Sequence, residues 1–223
     1  MLKIAALVPA FNEEKNIAEL VRGCKPWADI VLVVDDGSKD RTAELAKAAG
    51  AEVVKHGSNR GKGEGLRTGF AALEKRAEFV VIMDADMQYE PREALKVLEP
   101  LIEGKADIVM GSRDWSKVPL RHRLGNWVWR TAFNLMFGTH LSDTNCGLIA
   151  VRENVSFKLD FHGGYIIENG MLADAVKNGL RIANVPVVVR YNQKSGFSRG
   201  IRMVAGILFF ITHEGLKWRL KRG

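Results

Sequence analysis

Two carboxylates stand one residue apart in Asp84-Ala85-Asp86, and the amide of Gln88 follows two residues later. The stretch comes after Phe79-Val80-Val81-Ile82-Met83, an apolar run that predicts a buried strand. Like charges at the end of such a strand repel, and desolvation adds to the cost. A divalent cation resolves the conflict, because hard cations take oxygen ligands from carboxylates, amides, water and phosphate. Two solvated loop acids are the alternative.

The elements that would position these groups alternate in type. Apolar runs at 3–8, 29–34, 52–55, 78–83 and 106–110 predict strands. Amphipathic patterns at 13–23, 40–49, 62–76 and 91–103 predict helices between them. Val/Ile/Leu-rich strands separated by helices imply an α/β fold, a mostly parallel sheet with helices on both faces. Ligands of such sheets bind beyond the carboxyl ends of the strands. Asn12-Glu13-Glu14 is expected to follow the first strand, Asp35-Asp36-Gly37-Ser38 the second, Asp84–Gln88 the fourth and Gly111-Ser112-Arg113 the fifth. Further on, 121–137 and 167–178 predict helices and 146–151 and 182–190 predict strands. The last stretch predicts a basic amphipathic helix.

The chain has 223 residues, 47% of them hydrophobic, which suffices for one large core. A catalytic domain over 1–198 and a C-terminal amphipathic helix over 199–223 are expected. The net charge of +7 points to an anionic partner: a nucleic acid, a phosphorylated substrate or a membrane surface. Nucleic acid is the weakest of these, since no aromatic-basic recognition motif is present. Two cysteines, Cys24 and Cys146, exclude a disulfide framework and fit a cytosolic setting. The first nine residues are too short and too soon interrupted by Pro9 for a secretory signal.

The residues after the strands exclude several kinds of site. Pro9-Ala10-Phe11-Asn12-Glu13 stands where a nicotinamide-binding Gly-x-Gly-x-x-Gly would be. Gly57-Ser58-Asn59-Arg60-Gly61-Lys62-Gly63 fails the Walker spacing, although its basic and glycine residues open a helix, and helix N-termini attract phosphate. No zinc spacing and no Gly-x-Ser-x-Gly elbow occurs.

The ordered motifs Val8-Pro9-Ala10-Phe11-Asn12-Glu13-Glu14, Val34-Asp35-Asp36-Gly37-Ser38, Asn59-Arg60-Gly61-Lys62-Gly63 and Asp84-Ala85-Asp86-Met87-Gln88 resemble glycosyltransferase family 2. Its members have the GT-A fold, a nucleotide-diphosphosugar-binding α/β domain. Gly111-Ser112-Arg113, Asp143-Thr144-Asn145-Cys146-Gly147 and Ile182-Ala183-Asn184-Val185-Pro186-Val187 are similar to the branch that makes dolichyl- or polyprenyl-phosphate hexoses.

The resemblance implies a nucleotide-sugar donor, UDP- or GDP-linked, a polyprenyl phosphate acceptor and a Mg²⁺ or Mn²⁺ cofactor. It places Pro9, Phe11, Glu13, Val34 and Asp36 around the nucleoside. Lys62, Asp84 and Ala85 would meet the rest of the donor, and Asp86 and Gln88 would hold the metal. Lys194 belongs to a stretch resembling a basic loop that closes over the donor. Glu168 sits where the family has a carboxylate, but Asn169 follows it, so no catalytic base is assigned. A lipid phosphate needs no base, being largely ionised at neutral pH. Arg113, Arg121 and Arg123 are the candidates to position it, since arginine's donor fork fits phosphate. Asp84, Asp86 and Arg113 are the expected catalytic set. The Gln-x-x-Arg-Trp pattern of processive synthases is absent, which implies single transfers.

Trp127, Trp129 and Phe133 stand with Arg121, Arg123 and Arg130, and Phe209, Phe210 and Trp218 with Arg219, Lys221 and Arg222. Tryptophan beside basic residues on an apolar-faced helix is the interfacial pattern; an ordinary core face is the alternative. The longest apolar run, 203–211, is about half of what a spanning helix needs. With the lipid acceptor that the resemblance implies, the chain is expected at the cytoplasmic membrane face, alone or with a separate membrane protein. The rivals are transfer to a glycan hydroxyl, with Glu168 or Asp143 as base, a sugar-phosphate nucleotidyltransferase, and a non-catalytic membrane-peripheral module. The missing Gly-rich N-terminal signature argues against the nucleotidyltransferase, and the intact Asp84/Asp86/Gln88 set against the binding module.

Overall fold

The computed structural model describes residues 3–116, 118, 120–161, 163–190 and 197–221. Among the described residues, seven strands form one sheet in the order β3-β2-β1-β4-β6-β5-β7. They are β1 (Ile4–Ala10), β2 (Ile30–Asp35), β3 (Glu52–Lys55), β4 (Phe79–Ile82), β5 (Ile108–Arg113), β6 (Ile149–Arg152) and β7 (Ile182–Val187). The helices are α1 (Ile17–Cys24), α2 (Thr42–Ala48), α3 (Lys62–Leu73), α4 (Ala94–Ile102), α5 (Leu120–Phe137), α6 (Ile167–Lys177) and α7 (Phe197–Leu220).

The alternation of apolar runs and helices in the first half produces parallel pairing of β1 with β2 and β4, and of β2 with β3. Pro9 lies opposite Val34, Ala10 opposite Asp35 and Leu7 opposite Ile82. Those strands end nearly level, so the turns after β1, β2 and β4 emerge on one edge. β1, β2 and β4 are buried almost throughout, which is why their sequences read as continuous rather than alternating apolar runs.

Three expectations shift. β6 is antiparallel and inserts between β4 and β5, entering the sheet at the carboxyl edge where β4 and β5 end. β5 runs on through Gly111-Ser112-Arg113, whose extended backbone pairs with Val185, Pro186 and Val187. Those residues are therefore the end of the strand rather than a turn beyond it. β7 stops at Val187, and Val189 makes only an isolated bridge to Tyr89.

α7 begins at Phe197, so residue 199 falls inside a continuous helix. Its Ile207 and Ile211 are fully buried. Each contributes roughly 1.5–3 kcal/mol by leaving water, so the inner face of α7 belongs to the core. α7 runs parallel to α5: Gly125 packs beside Val204 and Gly215 beside Met136. Phe137 meets Phe133 and Trp218 at centroid separations of 4.6 and 5.7 Å.

Gly37 holds a φ of +77°, and a Cβ there would lie 2.5 Å from the Ser58 carbonyl carbon. The obstruction is backbone and the φ is left-handed, so neither can relax cheaply. Gly37→Ala is expected to lower unfolding stability by about 1–3 kcal/mol, read as a lower urea midpoint at unchanged slope.

Candidate active site

The first two turns are knitted together by side chains that pair with backbone groups of the facing turn. Asn12 N donates to Ser38 Oγ at 2.9 Å, Glu13 N to Thr42 Oγ1 at 2.8 Å and Lys39 N to Asn12 Oδ1 at 2.9 Å. Asn12 takes a φ of +57°, and the adjacent Phe11 ring is 42% exposed at the sheet edge. Pro9 and Val34 lie under the start of α3, where a Cβ on Gly65 would sit 3.4 Å from Pro9 and 3.9 Å from Val34. Glu13 is half-buried and accepts from Asn16 Nδ2 at 2.8 Å.

Asp36 is only 4% exposed and faces its own chain. Its Oδ1 accepts from Arg60 N at 2.9 Å and its Oδ2 from Gly61 N at 2.7 Å. His56 Nδ1 lies 2.7 Å from Oδ1, and His56 Nε2 lies 2.9 Å from Thr68 Oγ1. The carboxylate expected beside a nucleoside thus shapes the 59–61 turn that opens α3. His56 and Thr68 had no signal in the sequence, being single polar residues on separate elements.

Asp84 and Asp86 leave β4 toward the same edge. Met87 has a φ of +58°, which turns the backbone so that Gln88 N donates to Asp86 Oδ1 at 3.0 Å. Gln88 Nε2 donates to Asp86 Oδ2 at 2.7 Å, which leaves the amide oxygen as the hard ligand atom of that side chain. Ala85 is buried between the two acids. Desolvation raises the Asp86 pKa above the usual carboxylate value, and the charge of Glu13 adds to it.

Lys62, the first residue of α3, reaches into this cluster. Its Nζ lies 2.6 Å from Asp84 Oδ1 and 2.8 Å from Glu168 Oε1 on α6. Burial works against the ammonium, but Asp84 and Glu168 outweigh it and hold the Lys62 pKa above its ordinary value. Three elements thus meet at one cation.

The donor set suits Mg²⁺ or Mn²⁺ in a particular way. Among the described residues, no three His, Cys, Asp or Glu side chains converge to hold an ion by themselves. Mg²⁺ sites commonly use one or two carboxylates and complete the shell with substrate phosphate and water. Asp86 and Gln88 supply oxygens of that kind, and the N-terminus of α3 beside them attracts phosphate.

Across the edge, Arg113 is held by Asp143. Its Nε and Nη2 donate to Asp143 at 2.7 and 2.8 Å, and Nη2 also donates to Asn126 Oδ1 at 2.9 Å. Hydrogen bonds from the guanidinium to Asp143 keep it charged against its burial. The Arg113 and Arg130 guanidinium groups each lie over the Trp115 ring, 5.1 and 5.5 Å from its centroid. Arg123 donates from Nε to Val118 O at 2.9 Å and from Nη2 to Ser116 O, which fixes the loop before α5. Two of the three expected phosphate-positioning arginines are thereby engaged within the chain. The backbone of Arg121 is in α5, its side chain lies outside the described residues, and Lys194 lies outside them altogether.

Gly147 closes the cluster from below. A Cβ there would fall 2.1 Å from Asp84 Oδ2. Cys146 beside it is fully buried, contacts Tyr89 Oη at 3.3 Å, and has its thiol pKa pushed up to about 12 by burial. Asp143, Trp115 and Gly147 matter here only through partners well separated in the chain, which motif spacing alone does not show. Gly147→Ala must displace Asp84, and a misplacement near 1 Å costs roughly 10²-fold in rate. The expected outcome is that loss in turnover with a nearly unchanged melting temperature.

The comparisons with known proteins agree with this geometry. The model of glycosyl transferase family 2 matches residues 5–156. The UDP-N-acetylglucosamine–dolichyl-phosphate N-acetylglucosaminyltransferase of Methanococcus voltae is 30% identical, over 93% of this chain and 93% of its own. The undecaprenyl-phosphate mannosyltransferase of Micrococcus luteus is 29% identical, over 98% of this chain and 96% of its own. Among solved structures, the glucosyl-3-phosphoglycerate synthase of Mycobacterium tuberculosis in complex with Mg²⁺ and UDP superposes with a TM-score of 0.78. It is 26% identical and is matched over 94% of this chain and 79% of that one. The sheet, its polar carboxyl edge and these matches converge: the chain is a GT-A-fold enzyme and belongs to glycosyl transferase family 2.

Proposed function

We propose that the protein transfers a single hexose from a nucleotide-diphosphosugar to polyprenyl or dolichyl phosphate, with inversion, at the cytoplasmic face of a membrane. The observation that carries the acceptor class is the pairing of both carboxylates that a hydroxyl acceptor would need as base. Glu168 is bound to Lys62 at 2.8 Å and Asp143 to Arg113 at 2.7 Å. A phosphate acceptor needs neither, since its oxygen is already an anion at neutral pH. The names of the Methanococcus voltae and Micrococcus luteus relatives support the same acceptor class.

In this reading Phe11 offers a face for the base, and Glu13 accepts from nucleoside hydroxyl or N–H groups. Pro9 and Val34 form the floor beneath, and Asp36 keeps the 59–61 turn in shape. Asp86 and Gln88 would hold Mg²⁺ or Mn²⁺, which would supply positive charge against the departing diphosphate. An acceptor phosphate oxygen forms the new bond to the anomeric carbon. The bond from that carbon to the diphosphate breaks, and its electron pair leaves with the nucleoside diphosphate. Asp84 and Lys62 orient the donor. Arg113 and Arg123 stand on the acceptor side and act by fixing the loop around Trp115.

The residues that α5 and α7 leave uncovered support the membrane reading. Leu124, Trp127 and Leu135 are 66, 55 and 64% exposed along α5, away from its buried side. Phe209, Leu216 and Leu220 are 71, 54 and 83% exposed along α7, opposite Ile207 and Ile211. The helices lie side by side, each with an exposed apolar stripe, and Arg219 on α7 donates to the Met136 and Leu135 carbonyls of α5. No helix of the described residues is long and apolar enough to cross a membrane. Surface binding through this helix pair brings the site to its lipid acceptor without a span.

Purified protein given Mg²⁺ or Mn²⁺, a panel of UDP- and GDP-sugars and polyprenyl phosphate is expected to yield a lipid-phosphate monohexose by mass spectrometry. Unphosphorylated polyprenol is expected to yield none, and Asp86→Ala to lose the product. Transfer to polyprenol instead would favour a hydroxyl acceptor and a catalytic base. In vesicle flotation with anionic lipid, Trp127→Glu/Phe209→Glu is expected to weaken binding roughly tenfold or more, since each aromatic side chain withdrawn from water contributes about 1.5–3 kcal/mol.

A further inference from the structure

Lys62 raises a question that the transfer reaction leaves open. A donor-binding lysine is most useful when its charge faces the diphosphate. Here the ammonium is neutralised by Asp84 at 2.6 Å and Glu168 at 2.8 Å. Asp84, Asp86, Glu13 and Glu168 surround the edge, and among the described residues Lys62 is the cation bonded within that set. The arrangement resembles a cation site filled from within.

We propose that Lys62 is a placeholder cation, which keeps divalent metal from settling on the carboxylates until a nucleoside diphosphate arrives. The inference rests on the donor-site reading above and deepens it. Without nucleotide, a divalent ion entering beside Asp86 meets the Lys62 ammonium already bound to Asp84. The like charges repel at short range, in a partly buried site where screening is weak. A diphosphate changes the balance. Its oxygens give Lys62 another partner at the N-terminus of α3, so the ammonium releases Asp84 while Glu168 keeps it tethered. Asp84 is then uncompensated and favours the divalent ion beside it. Metal and nucleotide therefore bind with positive coupling, and each strengthens the other by the same factor.

Glu168 is in this scheme a positioning residue that acts through Lys62, not a base. Its half-buried carboxylate sits on the first turn of α6, where it cannot follow Lys62 far. The tether sets how far the ammonium can swing.

The test is Mn²⁺ binding to the unliganded protein, read by electron paramagnetic resonance of free Mn²⁺, with and without UDP or GDP. Wild type is expected to bind Mn²⁺ weakly alone and about 5- to 150-fold more tightly with the nucleoside diphosphate that it accepts. Lys62→Met is expected to bind Mn²⁺ alone about tenfold more tightly than wild type and to lose most of the coupling. Lys62→Arg keeps the charge and is expected to behave as wild type. Lys62→Met/Glu168→Gln removes the cation with one of its partners, relieves repulsion that could unfold the single variant, and should still bind Mn²⁺ alone more tightly than wild type. If neither variant gains affinity for Mn²⁺ alone, while wild type still gains from nucleotide, the placeholder role is wrong and the donor site stands. If wild type binds no Mn²⁺ even with UDP or GDP, the metal-donor reading fails and the placeholder role with it.

Discussion

The concentration of carboxylates at the end of a buried sheet is the constraint around which the rest is arranged. Asp84 and Asp86 leave β4, a fully buried strand, and Glu13 and Glu168 approach from other elements. Such a cluster is stable only if something positive stands among the acids. Lys62 fills that place, and to do so α3 must begin at the sheet edge. Asp36 secures that start by accepting from the backbone of Arg60 and Gly61. Gly147 leaves the room that Asp84 occupies. The edge is thus held by charge pairing that also prepares it for a charged ligand.

A second set of pairings lies on what the proposed function makes the acceptor side. Asp143 grips Arg113, Arg113 and Arg130 lie over Trp115, and Arg123 ties down the loop between β5 and α5. The same helix, α5, presents Leu124 and Trp127 to the outside and Phe133 to the core. One element therefore links an exposed apolar surface to the loop beside the polar edge. α7 carries an exposed stripe of its own, and its buried Ile207 and Ile211 anchor it to the body of the enzyme. In the proposed reaction, a lipid phosphate arriving along this pair reaches the polar edge while its tail stays among apolar side chains.

Much of the fold is legible in the sequence alone. Val/Ile-rich runs declare the parallel strands because burial on both faces leaves a continuous apolar pattern. The polar turns after β1, β2 and β4 declare the edge. The antiparallel β6 is hidden, since Ile149–Arg152 is a short apolar run and direction leaves no mark in composition. The end of β5 is misread from the sequence, because Gly111-Ser112-Arg113 has turn-like residues yet pairs in full with β7. The inward turn of Asp36 and the grip of Asp143 on Arg113 depend on long-range contacts that motif spacing does not encode. His56 and Thr68 illustrate the same limit: each is unremarkable alone, and together they brace Asp36.

The central claim is that a divalent ion and a nucleoside diphosphate meet at the carboxyl edge beside Asp86 and Gln88. Crystals grown with Mn²⁺ and UDP or GDP, measured near the manganese absorption edge, would locate the ion by its anomalous signal. The account predicts a single strong peak next to the Asp86 carboxylate and the Gln88 amide, with the nucleotide bound at the same edge. A peak elsewhere on the protein, or nucleotide bound at that edge with no metal beside Asp86, would contradict it.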